Sequence, residues 1–519
     1  MKMLRAAVSA ALFTLIGASW ALAQDVTLTS RDGSMEISGY LIGFDGEFYR
    51  IDTNYGVLTV DGSGVNCEGP GCPNLTSYTA DIVISGAEAP GSVLMPALLE
   101  AFGLAEGYAV TREELPGVGL LYTLYEVDGT TPAARFTLRL ATSQEGFADL
   151  ITEAADLALS LREPTRQERL MARDAGLGDL FSVRQSRVVA LDALVPIVNP
   201  DNPVRRLDLE AVSHLYEGTF DRWSDVGGED APVTLYLRDP NAGYGMVFDR
   251  TVVKAQGRTL SERVLTKASN DGVTLAVEDD PFGIGIASMS AQGMTEAITL
   301  TGDCAFEVSA SQLSVKAGDY PLAAPVFLYQ PAIRLPKIGR DFLRYLRTES
   351  AQRVVQRVGL VDQGISEVPL AVQGTRLANA IAQAGPEVSL EELQRLVALM
   401  TDSQRLTLTY RFEGGSTALD GPSRSNVGLL ADALETGMFE GRSLIFVGFS
   451  DGQGDASLNR RLAQRRAEAV QAAVLQTAET FDRDRTEISV DAFGEALPMA
   501  CDDTDWGRRI NRRVEVWVR

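Results

Sequence analysis

Asp451 and Arg466 are the residues of this 519-residue chain whose types and spacing point most directly to chemistry. Asp451 stands in Gly448-Phe449-Ser450-Asp451-Gly452-Gln453-Gly454, an apolar strand-like run entering a glycine-rich turn. Arg466 follows 15 positions later, about two turns into a helix-forming stretch that starts near Asn459. A carboxylate and a guanidinium held at one mouth can grip a zwitterion: the acid takes an ammonium and the arginine forks onto a carboxylate. If the two only paired with each other at the surface, the pair would be worth ~0–1 kcal/mol. The same turn satisfies Gly-x-Ser-x-Gly, the nucleophile elbow of serine hydrolases. That reaction needs a histidine after the serine, and the one histidine, His214, precedes Ser450. A single histidine also excludes an HExxH zinc site and a three-histidine site. No catalytic residue, cofactor or metal ligand is therefore expected.

Acidic residues outnumber basic ones by 70 to 47, a net charge of −23, which argues against nucleic acid as a partner. Hydrophobic content of 45% and charged content of 23% fit packed domains, not a disordered chain. Lys2 and Arg5 precede the apolar run Ala6–Gly17, and Ala21-Leu22-Ala23 supplies a small-x-small cleavage site, so residues 1–23 read as a secretory signal. No later window has 18 consecutive apolar residues, and no membrane-spanning helix is expected after the signal. Four cysteines, an even number, suit an oxidising compartment. Cys67 and Cys72 bracket Glu68-Gly69-Pro70-Gly71, close enough to close a small disulfide loop. Cys304 and Cys501 could clamp two domains or stay as free thiols.

The elements that must position these residues fall into four blocks. Residues 24–76 read as a small β domain, with short strands at Met35–Ile42, Phe48–Ile51 and Val57–Val60 separated by Asp32-Gly33, Asp45-Gly46 and Tyr55-Gly56. Residues 77–365 alternate strands and helices, as open α/β sheets do. Strands are expected at Asp81–Ser85, Arg187–Val198 and Val233–Leu237, and helices at Ser92–Phe102, Asp208–Tyr216 and Phe342–Arg357. Residues 366–403 read as a packed helical connector of two short helices. The second opens with Ser389 and Glu392 at capping-box spacing and carries Leu393, Leu396, Val397 and Met400 on one face. Residues 404–519 form another α/β unit, with strands at Leu406–Phe412, Leu444–Val447, Ile488–Ala492 and Val514–Val518 and helices around Val427–Leu434 and Asn459–Thr477.

The last block resembles the OmpA-like peptidoglycan-binding domain. That family's Thr-Asp-x-x-Gly turn, Asn, Leu-Ser-x-x-Arg-Ala helix and closing Asn-Arg-Arg-Val-Glu strand read here as Ser450-Asp451-Gly452-Gln453-Gly454, Asn459, Leu462-Ala463-Gln464-Arg465-Arg466-Ala467 and Asn511-Arg512-Arg513-Val514-Glu515. Phe412-Glu413-Gly414-Gly415-Ser416 and Gly494-Glu495 also fit. The resemblance implies that Asp451 and Arg466 hold the diaminopimelate of the peptidoglycan stem peptide, with Asn459 and Ser450 in the same site. Arg512, Arg513 and Glu515 are expected to serve strand-edge structure and not the ligand.

The second block resembles type II periplasmic solute-binding proteins of the phosphate-binding, PstS-like group. Ile84-Ser85-Gly86-Ala87, Asp156–Arg162, Ala190–Pro200, Leu215-Tyr216-Glu217-Gly218, Arg238–Tyr244, Phe282–Ile286 and Tyr320-Pro321-Leu322 follow in family order. The resemblance implies two lobes that close like a hinged trap on an oxyanion, with an ABC transporter as partner. Arg238 falls at the family's arginine, and Gly243, Ser160 and Gly86 at other anion-binding positions. Several hydroxyls are replaced, as in Gly86-Ala87 and Ala242-Gly243-Tyr244. Each lost donor would remove about 1–3 kcal/mol from an anion complex. Phosphate, a different or larger anion, or no ligand all stay open, and Tyr244 would suit an organic group. The fold class expected is multidomain α/β and α+β: a small N-terminal β domain, a two-lobed binding-protein-like module and a C-terminal OmpA-like α/β sandwich. Together the resemblances imply a non-enzymatic periplasmic protein held non-covalently to the cell wall, close to the outer membrane. Its partners would be peptidoglycan and a small anionic solute. The alternative is a structural envelope protein whose solute module binds nothing.

Overall fold

The computed structural model describes residues 25–75, 78–302, 304, 306–368, 370–385, 387–413 and 418–519. The expected signal at 1–23 and Gly414-Gly415-Ser416 lie outside the described residues. The chain divides into two units, one holding the N-terminal residues through Ala80 with Leu335–Arg340, the other the rest.

In the first unit, Gly33, Gly46 and Gly56 take positive φ (70°, 91° and 103°), the hairpin geometry that Asp-Gly and Tyr-Gly pairs favour. They link Val26–Ser30, Glu36–Phe44, Phe48–Thr53 and Gly56–Asp61, and Val65–Glu68 returns beside the first strand to complete an antiparallel five-stranded sheet. Its core is small: Val26, Leu28, Tyr49, Ile51 and Val65, closed off by the Cys67–Cys72 disulfide.

The central module is built on one large mixed sheet. The strand Ser186–Val198 pairs with Ala323–Tyr329 along its first half and with Gly283–Ser288 along its second, so it runs from one lobe into the other. On one side lie Leu157–Ser160, Ala80–Ala87 and an antiparallel meander of Pro132–Ala141, Gly119–Tyr125 and Ala109–Leu115. On the other lie Thr234–Arg238 and Leu265–Lys267. The sequence reading did not foresee the meander. The expected helix 342–357 is two helices, Lys337–Tyr345 and Glu349–Arg357; Thr348 breaks it by accepting from the Ala351 N–H at 3.3 Å and capping the second.

The C-terminal sheet runs in the order Glu367–Val368, Gln404–Arg411, Arg513–Val518, Ser443–Phe449, Glu487–Gly494. Alternation along Ser443–Phe449 sends Leu444 and Phe446 to one face, beneath Val427, Leu430, Val470 and Val474. Ile445, Val447 and Phe449 go to the other face, where Leu396, Leu399 and Met400 cover them. Residues 366–403 are therefore not a separate connector: they supply the edge strand and the helices Leu370–Gln383 and Leu390–Asp402 that roof one face of this sheet. Val397, expected on the packed face, is exposed.

This domain is docked on both lobes of the central module. On the second lobe, Cys304 forms a disulfide with Cys501, and Arg405 makes two 2.8 Å bonds to the Asp319 carboxylate. On the first, Arg424 pairs with Glu163, Arg347 with Asp432 at 2.6 Å, and Val188 N–H donates to the Ser425 hydroxyl at 3.0 Å. Among the described residues no helix is long and apolar enough to cross a membrane.

Candidate functional site

The helix Ala456–Thr477 begins at Asp455, whose carboxylate caps the Leu458 N–H at 3.0 Å. Its buried residues, Asn459, Ala463, Arg466, Ala467, Val470 and Val474, fall on one stripe at helical spacing. Asn459 and Arg466 thus point the same way, two turns apart. Gly448 lets this stripe close on the strand: a Cβ there would sit 2.1 Å from the Ala463 carbonyl oxygen. The register with the parallel neighbour slips after Gly448, and Ser450 N–H then donates to Gly494 O at 2.8 Å, just before the turn that carries Asp451.

Arg466 is 5% exposed, and neither its Nε nor its Nη1 has a hydrogen-bond partner among the described residues. Its guanidinium lies 5.2 Å from the Phe412 ring centroid. Burial pushes this guanidinium below its usual pKa, Arg512 adds to the effect, and Asp451 opposes it. The Ser450 hydroxyl is likewise buried and unpartnered. Asp451, 8% exposed, accepts from Arg512 Nη1 at 2.5 Å. Asn459 donates to Gln453 O at 3.0 Å. Glu495 and Asp502 complete an acidic side: Gly452 N–H donates to Asp502 at 2.6 Å, and burial followed by neighbouring carboxylates raises the Glu495 carboxyl despite a bond from Asn459.

The structure thus brings Ser450, Asp451, Asn459 and Arg466 together, with Arg512 paired to Asp451 and both within electrostatic reach of Arg466. Arg512 differs from the sequence reading, since it reaches back to the turn aspartate. Arg513 and Glu515 lie in an inner strand of the sheet, not at an edge, and are fully buried. Arg513 Nε donates to Glu515 at 2.8 Å, and Arg376 Nη2 donates to the same carboxylate at 2.6 Å. Burial alone would raise the Glu515 carboxyl; Arg376, Arg405 and Arg513 outweigh it and hold it well below the carboxylate range.

A second site lies between the lobes of the central module, a cavity of about 240 Å³ whose wall includes Glu88, Asp192, Arg238, Tyr244, Ser269 and Ser290. Arg238 ends the strand Thr234–Arg238 and donates to Glu88 at 3.3 Å. Asp192, fully buried, accepts from the Ser288 hydroxyl at 2.5 Å and from Tyr244; burial raises its carboxyl and drives the Tyr244 hydroxyl well above its usual value. Gly243, at φ 53°, adjoins this wall opposite Ala89. Ser160 and Gly86 are not in the cavity wall. The Ser160 hydroxyl donates to Arg162 O at 2.7 Å, while Gly86 (φ 130°) packs so close that a Cβ would meet Leu159 O at 2.0 Å. Glu88 and Asp192 were missed; the signals for them were an acid opening the helix after Gly86-Ala87 and a lone acid inside an apolar strand. Among the described residues no cluster of three or more His, Cys, Asp or Glu could hold a metal ion.

A family model described as "PBP superfamily domain" matches residues 76–349, just over half of the chain. The chain belongs to the PBP superfamily. A second model, the OmpA family, matches residues 411–512, so this PBP-superfamily chain joins a domain similar to phosphate-binding proteins to a C-terminal OmpA domain. The phosphate-binding protein PstS of Bacillus subtilis is 25% identical over 178 residues, covering 34% of this chain and 55% of that protein. Outer membrane porin F of Pseudomonas fluorescens is 29% identical over 114 residues, 22% of this chain and 33% of the porin. An ABC-type phosphate transport receptor from Vibrio cholerae, a solved structure, is 20% identical at TM-score 0.42, covering 54% of this chain and 99% of that one. The chain spans little more than half the length of the PstS relative, and neither matching family is a catalytic one.

Proposed function

We propose that this chain is a cell-envelope protein that binds peptidoglycan through its C-terminal domain and offers its central cleft to a small anionic solute. The ligand of the C-terminal site is the diaminopimelate of the stem peptide. Arg466 forks onto its carboxylate, Asp451 with Glu495 and Asp502 receives its ammonium, and Ser450 and Asn459 line the same mouth. One observation carries this reading: a guanidinium 5% exposed with two nitrogens that no group among the described residues satisfies. Buried donors left open are costly, and an incoming carboxylate removes that cost. In the cleft, Arg238 is the cation for an anion such as phosphate, and an ABC transporter is the class of partner that such a module serves. The location that follows is the periplasm, with the wall as anchor and the outer membrane close by. Co-sedimentation of the purified protein with isolated peptidoglycan tests the anchor: the wild type pellets, and Asp451→Ala stays in the supernatant. Unchanged pelleting of Asp451→Ala would end the proposal for that residue.

The pairing of Arg238 with Glu88 favours a second reading of the central module, in which the cleft is closed and the chain serves the envelope structurally.

A further inference from the structure

Two helices open onto the cleft, Glu88–Glu106 from the first lobe and Asn270–Glu278 from the second. Their free N–H groups and dipoles favour negative charge, which is what an anion site between lobes would use. Each already carries an acid of its own in the first turn, Glu88 and Asp271. Glu88 goes further and spans the cleft to Arg238 on the opposite lobe at 3.3 Å. The arginine side chain is sunk, 14% exposed, whereas Glu88 enters from the rim at 51%. Beside this pair the lobes nearly touch: a Cβ at Gly243 would lie 3.8 Å from the Ala89 Cβ. Deeper in the wall, Asp192 is already bonded by Ser288, Tyr244 and the Ala193 and Met289 N–H groups, so it is engaged away from the Arg238–Glu88 pair.

We infer that Glu88 is a specificity-determining residue of this cleft: its carboxylate occupies the place beside Arg238 that an anionic solute would take. The inference rests on the reading that the cleft accepts an anion. A solute then binds only by displacing Glu88, and any oxyanion that cannot outbid an in-chain carboxylate is refused. Displacement also parts the lobes at Ala89 and Gly243, so entry and the breaking of the ion pair are one event. Among oxyanions this favours those of higher charge or with additional groups that reach the Ser269, Asn270 and Ser290 side of the wall.

Calorimetric titration of the full mature chain with inorganic phosphate tests this. Glu88→Gln, which keeps the side chain's size and removes its charge, is expected to bind phosphate about tenfold or more tightly than the wild type. Adding Arg238→Met to Glu88→Gln should abolish the gain. Measurable and equal affinity in the wild type and Glu88→Gln would overturn the role of Glu88 and leave the anion reading standing. No heat from either would overturn the anion reading for phosphate and this inference with it.

Discussion

Replacing Arg466 by methionine separates a ligand-binding role from a structural one. In the free protein the guanidinium is almost wholly buried and two of its nitrogens lack partners among the described residues. Unsatisfied buried donors cost about 1–3 kcal/mol, so the arginine is a net burden on the unliganded fold. Methionine keeps an unbranched stem against Phe412 and removes the donors. Thermal melting of Arg466→Met should therefore occur at or above the wild-type temperature. Binding should move the other way. Removing one partner of a buried charged hydrogen-bonded pair costs about 2–5 kcal/mol, or roughly 30-fold to several-thousand-fold in affinity. Quantitative sedimentation with isolated peptidoglycan, alongside melting curves, measures both. A variant that melts well below the wild type and still pellets would refute the reasoning, because Arg466 would then be holding the fold and not the ligand.

Two further perturbations test the interior. Glu515→Gln leaves Arg376, Arg405 and Arg513 without their shared counter-charge, and urea unfolding should show a loss of about 3–5 kcal/mol. The same carboxyl makes stability depend on pH: its folded pKa is depressed, so its contribution is present above the unfolded glutamate value of about 4.3 and is lost as pH falls below it. Circular dichroism melts between neutral pH and pH ~3 should show that decline in the wild type and less of it in Glu515→Gln. Replacing Cys304 and Cys501 by serine removes the covalent link between the central and C-terminal domains, and should lower the denaturation free energy by about 2–4 kcal/mol, read by calorimetry.

The peptidoglycan-site candidates were legible because they are local. Turn, capped helix and inward stripe fall within Gly448–Val474, where glycine placement and helical spacing single out Asp451 and Arg466, and the OmpA-like motif adds Ser450 and Asn459. Arg512 was misread because its partner is 61 positions away, and only the sheet order brings Arg513–Val518 beside Ser443–Phe449. The cleft was harder for the same reason: Glu88 and Arg238 stand 150 positions apart, and an acid at a helix start reads as ordinary capping until the opposite lobe is in place. The meander Ala109–Ala141 hid behind the exposed, charged stretch Thr111-Arg112-Glu113-Glu114, which has no alternation. Residues 366–403 looked like a connector because a two-residue edge strand such as Glu367–Val368 leaves almost no periodic signal.

The docking of the C-terminal domain on both halves of the central module has a mechanical consequence. A hinge turns freely only when nothing spans it, and here one body is fastened on either side of the crossover strands by Cys304, Asp319, Glu163 and Arg347. Tension applied at the Asp451 turn is carried through Arg512 and the inner strand it adjoins to Arg405 and Asp319, with no slack tether in between. Opening the cleft by rotating one lobe would strain those same fastenings, so any load on that turn and the angle between the lobes are set by a single elastic assembly.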